Sequence, residues 1–125
     1  LSKEFPEIEH NNKTFVLACR SDELYERKAK NIYFEEELQV AIFRIDGKLF
    51  AVSNICPHQH AAVICEGFIE ELTVTCPLHG WIYSLENGKA LGSHARLKTY
   101  EIFESNDEIL LEKPILSMPK WMENL

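Results

Sequence analysis

Long apolar runs are missing from this chain: no stretch approaches the roughly eighteen consecutive apolar residues of a membrane-spanning helix. The opening segment LSKEFPEIEHNNK has no apolar signal-peptide core, so a soluble, cytoplasmic protein is expected. Glycine and proline are scarce, five of each in 125 residues, which argues against fibrous and low-complexity disordered classes. Basic side chains are a minority, since 13 against 20 acidic ones leave a net charge of −7 with neutral histidines. Such a surface repels a phosphate backbone and suits a partner with a basic docking patch. No nucleic-acid partner is therefore expected. A glycine-rich phosphate loop and an internal repeat are also lacking.

What remains is an ordinary globular composition, 46 % hydrophobic and 26 % charged. A single domain over 1–125 would bury roughly two thirds of the surface of its unfolded chain. It therefore has no need of disulfide staples. Of the four cysteines, Cys19 and Cys65 lie in strand-like or apolar stretches and read as inert buried thiols, a disulfide or redox role being the alternatives.

The apolar pattern is that of short strands. TFVLACR at 14–20 reads as a strand, SDELYE at 21–26 as a turn or one helical turn capped by Ser21 or Asp22, and NIYFEE at 31–36 as a strand. LQVAIFRI at 38–45 and KLFAVSN at 48–54 form a hairpin across Asp46–Gly47. In the first of these, Leu38, Val40 and Ile42 share one face and Ala41, Phe43 and Ile45 the other, so both faces are to be covered. ELTVTC at 71–76, WIYSL at 81–85, LKTYEIFE at 97–104 and EILLEK at 108–113 complete nine or ten strands, with a turn at Asn87–Gly88. An all-β, small antiparallel sandwich or barrel is expected. The tail over 114–125 carries apolar residues at helical spacing, either packing back on the domain or, through Trp121 and Met122, meeting a partner; the oligomeric state stays open between monomer and larger.

The distinctive chemistry lies in two loops. CPHQHA at 56–61 offers Cys56 and His58, and CPLHGW at 76–81 offers Cys76 and His79, with seventeen residues between His58 and Cys76. A Cys2His2 zinc finger places both cysteines in one half and both histidines in the other. Here each pair is mixed, and each follows a strand. Two thiolates on one metal and two imidazoles on another suit an asymmetric two-iron cluster, because neutral nitrogen donors favour Fe(II) at one end. Pro57 and Pro77 stiffen the loops after each cysteine, and Gly80 permits close backbone approach or a positive φ.

These two boxes, the approach DGKLFAVSNICPH, the NGK turn at 87–89 and the exit LKTYEIF together resemble the Rieske [2Fe-2S] family, in its disulfide-free bacterial ferredoxin type, over about residues 14–113. The resemblance implies one [2Fe-2S] cluster per chain in a cluster-binding subdomain of two loops, about 55–84. It also implies Cys56 and Cys76 on the inner iron and His58 and His79 on the outer. Ala61 and Leu78 stand where the respiratory branch has a disulfide, and Trp81 where that branch usually has serine, so a hydroxyl that raises the potential is missing. The expected potential lies near the bottom of the family's range of about −150 to +300 mV. His60 departs from the first box, which more often has glycine there. It reads as an exposed or outer-layer histidine, as part of an electron-exit surface, or as a substitute for His58, and its Cβ suggests a slightly altered loop.

The implied function is a soluble electron carrier from a reductase to an oxygenase or other terminal enzyme, without catalytic residues of its own. A second resemblance, carried by the DEL of SDEL, FRIDGKLFAVSN and LKTYEIF, is to the small subunit of assimilatory nitrite reductases. A zinc-stabilised interaction domain is the non-redox alternative.

Overall fold

The computed structural model describes residues 5–57, 60–78 and 80–115. Among these residues ten strands form three antiparallel sheets. The first, in the order β1 (Glu7–His10), β2 (Lys13–Arg20), β10 (Glu108–Glu112), β9 (Ile102–Ser105), joins the two ends of the described chain. The second is β3 (Ala29–Glu35), β4 (Leu38–Ile45), β5 (Lys48–Ser53); the third is β6 (Phe68–Glu70), β7 (Thr73–Thr75), β8 (Ile82–Ser84). Among the described residues no sheet closes on itself, the only helices are single 3-10 turns, and no helix is long and apolar enough to cross a membrane.

The middle sheet separates two apolar cores, and the alternation along β4 decides which side chain enters which. Val40 and Ile42 pack with Val16, Ile109 and Leu111 of the first sheet, while Ala41, Phe43 and Ile45 pack with Val74, Tyr83 and Leu85 beneath the two candidate loops. All five β4 side chains are fully buried. The two-faced apolar pattern is thus explained by a strand covered on both sides. Arg44, the one charged residue in β4, turns to the edge and spans to β9, its guanidinium donating to Glu104 at 3.0 and 3.3 Å.

Three hairpins close with two left-handed residues each: Asn11–Asn12, Asp46–Gly47 and Asn106–Asp107. Asparagine, aspartate and glycine tolerate that conformation best, and its twist matches that of the flanking strands. The Asn-Asn turn folds the polar opening segment back as β1, paired with β2. The expected strand 97–104 is divided. Its first half runs along β5, where Lys98 carbonyl accepts from Ser53 N–H at 2.8 Å and Tyr100 N–H donates to Ala51 at 3.0 Å. Its second half, Ile102–Ser105, pairs with β10. One segment therefore passes from the middle sheet to the first. The helical turn at Ser21–Glu23 is a 3-10 turn whose cap is Arg20, with Glu23 accepting from the Arg20 N–H at 2.7 Å, in place of a Ser21 or Asp22 cap. The expectation for residues 116–125 lies outside the described residues.

Candidate metal centre

Strands β7 and β8 run into the second loop at Cys76 and out of it at Trp81; the first loop leaves β5 and turns at Cys56 through Ala61. The two are built alike. Cys56 N–H donates to Ala61 carbonyl at 2.8 Å and His60 N–H to Cys56 carbonyl at 2.6 Å; Cys76 N–H donates to Trp81 carbonyl at 2.8 Å and Gly80 N–H to Cys76 carbonyl at 3.0 Å. His60 and Gly80 are thus equivalent, and both are left-handed, with φ of 55° and 74°.

His60 takes the left-handed conformation that Gly80 takes in the second loop, an unfavourable φ for a residue with a Cβ, with its side chain exposed. His60→Gly is therefore expected to raise thermal stability slightly, by up to about 1 kcal/mol, since relief of the left-handed strain exceeds the added chain entropy. Thermal melts compare the two proteins directly; a loss of stability would mean that the imidazole makes a contact worth more than its backbone strain.

Both cysteines are 1 % exposed and belong to the core that holds Tyr83, Val74 and Leu85. Their sulfurs lie 3.6 Å apart, and none of the four cysteines forms a disulfide. Two sulfurs sharing one tetrahedral metal, with bonds of about 2.3 Å, stand about 3.8 Å apart by simple trigonometry. The donor pair thus fits a single metal ion in a dry site. Among the described residues no group of three or more His, Cys, Asp or Glu comes together. His58 and His79 lie outside the described residues.

Tyr83 lies beneath the pair on β8, fully buried, with its hydroxyl 3.8 Å from Cys56 Sγ. Burial first, then the bond to Cys56 and the charges of Cys56 and Cys76, push the phenol up and keep it protonated. Opposite a thiolate the hydroxyl can only donate. Sequence reasoning passed over Tyr83, although its alternate position between Ile82 and Ser84 marks it as inward-facing.

Trp81 is half-buried against the same core and Pro77 is exposed, as is Leu78 at 46 %. Of the remaining thiols, Cys19 sits in the other core and the half-buried Cys65 packs at the margin of this one, and burial pushes both up, disfavouring reactive thiolates. His94 is exposed. His10 is exposed as well, and its ring lies 4.7 Å from that of Phe103 and 5.9 Å from that of Phe15.

The Rieske [2Fe-2S] domain matches residues 14–101. The chain belongs to the Rieske [2Fe-2S] family. It is 35 % identical over 99 residues to the 3-phenylpropionate/cinnamic acid dioxygenase ferredoxin subunit of Photorhabdus laumondii subsp. laumondii, covering 77 % of this chain and 91 % of that one. Among solved structures it resembles a candidate small subunit of NADPH nitrite reductase, with 26 % identity, a TM-score of 0.71 and coverage of 79 % and 98 %. The ferredoxin of carbazole 1,9a-dioxygenase from Nocardioides aromaticivorans IC177 shares the Rieske fold at 22 % identity, with a TM-score of 0.72 and coverage of 80 % and 98 %. The all-β, mostly antiparallel fold described above is that of this family, here without a disulfide among the four cysteines.

Proposed function

We propose that this Rieske protein is a one-electron carrier of the ferredoxin type, accepting electrons from a reductase and delivering them to a ring-hydroxylating oxygenase, without catalysing a reaction itself. The likeness to a dioxygenase ferredoxin subunit over 91 % of that subunit's length carries this reading. Cys56 and Cys76 would hold one iron and His58 and His79 the other, within a cluster-binding unit of about 55–84. The cluster supplies a one-electron couple, raised in potential by its two neutral ligands relative to an all-cysteine cluster. The chain's own part is to hold the thiolates dry, to donate the Tyr83 hydroxyl to Cys56, and to present an acidic surface, net charge −7, to basic partners.

A bond donated to a thiolate stabilises the more negative, reduced state. Tyr83→Phe is therefore expected to lower the midpoint potential by on the order of 50 mV, close to tenfold in a one-electron equilibrium. Redox titration of both proteins reads this, and an unchanged or higher midpoint would remove Tyr83 from the tuning.

The carrier reading is tested with an NADH-dependent ferredoxin reductase and a ring-hydroxylating oxygenase. The Rieske protein should be reduced by the first and reoxidised by the second, at rates that fall as salt screens the docking charges. The second reading, a nitrite reductase small subunit, has the 26 % identical structural relative in its favour. Stable association with a sirohaem-containing nitrite reductase, together with no turnover in the oxygenase system, would select it.

A further inference from the structure

The two cluster loops close alike at their tips and differ at their bases. The second loop stands on a regular ladder, Thr75 opposite Ile82, Val74 opposite Tyr83 and Thr73 opposite Ser84. The first has only the bridge between Ile55 and Ala62. Below it Val63 turns out of strand geometry, with φ −129° and ψ −2°, its N–H bonds back to Ala61 carbonyl at 3.0 Å, and a 3-10 turn begins at Ile64. The ladder that would brace Cys56 is broken one rung down.

Asn54 stands at that break, fully buried. Its main-chain carbonyl accepts from Ile64 N–H at 3.2 Å, and its side-chain Oδ1 accepts from Cys65 N–H at 2.6 Å. On the other side its N–H donates to Gln39 carbonyl at 2.8 Å and its Nδ2 to Gln39 Oε1 at 3.4 Å. Gln39, 7 % exposed, is itself held by Asn31 Nδ2 at 2.9 Å and donates to Glu36 carbonyl at 3.0 Å. A buried amide is costly unless its donors and acceptors are matched, and here Asn54 uses both ends.

We propose that Asn54 is the positioning residue of the first cluster loop: its side chain replaces the missing ladder rung, ties both ends of the loop to β4, and thereby fixes the seat of Cys56 two residues on. The requirement is specific. Leucine has the same branched skeleton with neither bond, and aspartate keeps the acceptor but loses the donor toward Gln39. Gln39 and Asn31 belong to the scaffold side of the network, and the Asn54 Oδ1 is its side-chain group that reaches the 3-10 turn closing the loop, beside the main-chain bond from Ile64 N–H. The inference rests on the reading of Cys56 as a cluster ligand.

The test compares Asn54→Leu with Gln39→Leu in the cluster-loaded protein. Both should melt at lower temperature. Asn54→Leu should in addition release iron to a chelator about tenfold faster, the scale of outer-layer substitutions at metal sites. It should also change the EPR line shape of the reduced protein and shift the oxidised-to-reduced ratio at fixed applied potential by about threefold or more. Gln39→Leu should leave line shape and ratio as in the wild type. Wild-type line shape, ratio and iron release in Asn54→Leu, or the same changes in both variants, would overturn the proposal. If Asn54→Leu does not fold, hydrogen exchange in the wild type decides: protection of the Cys65 amide comparable to the β4 amides supports the bond to Oδ1, and exchange at the rate of an exposed turn overturns it. A wild-type protein that binds no iron would refute the carrier reading, while the Cys65 amide would still report whether Asn54 holds the loop.

Discussion

Cys76→Ala is expected to give a folded protein that has lost its cluster entirely. The sulfur removed is one of a buried pair 3.6 Å apart, Cys19 packs in the opposite core, and Cys65 is held outside the pair's loops by its N–H bond to Asn54 Oδ1 in the 3-10 turn. A single thiolate left in an apolar pocket binds iron poorly and is itself disfavoured by burial. The fold does not depend on that sulfur. The core between the first and middle sheets contains neither Cys56 nor Cys76 and holds Val16, Ile32, Val40, Ile42, Ile109 and Leu111 together. Visible absorption and iron content should vanish, while the far-ultraviolet circular dichroism should keep its β signature. A variant that retained the wild-type chromophore would show that Cys76 is not a ligand, and an unfolded variant would show that the cluster is part of the core.

The second large effect falls on the backbone beneath the loops. At Gly88 the φ is 78°, and a Cβ there would meet the Leu97 carbonyl oxygen at 2.0 Å. Relief by shifting is blocked, because Gly88 N–H donates to Ser84 carbonyl at 2.8 Å and its own carbonyl accepts from Leu97 N–H at 2.8 Å. A left-handed alanine costs roughly 1–2 kcal/mol and overpacking roughly 1–3 more. Gly88→Ala is therefore expected to lose about 3 kcal/mol and to lower the melting temperature by about 10 °C. Since Gly88 closes the turn that returns from β8, cluster retention should also fall. A melting temperature within about 2 °C of the wild type would mean that the turn can open without cost to the sheet.

Much of this was legible in the residues. The hairpin of β4 and β5 follows from alternation around Asp46–Gly47, and the two boxes name the candidate ligands by residue type and spacing alone. What was not legible has physical reasons. β1 is exposed along its whole length and carries no apolar alternation, so only the Asn11–Asn12 turn could announce it. Residues 97–104 look like one strand because both halves are paired, and sequence periodicity does not reveal that they pair with different sheets. Tyr83 and Asn54 act through three-dimensional neighbours from distant segments. His60 was the hardest, for a histidine does not announce a left-handed backbone, yet its φ falls in the same region as that of Gly80 in the second loop.

The central claim is that Cys56, His58, Cys76 and His79 together hold one two-iron cluster that carries a single electron. Anaerobically purified or reconstituted protein should contain two irons and two inorganic sulfides per chain. On addition of one electron it should bleach in the visible and develop the low-average-g EPR signal of a cluster with nitrogen ligands on one iron. A colourless, EPR-silent protein with one zinc per chain would contradict that account and leave the buried thiol pair as part of a structural zinc site.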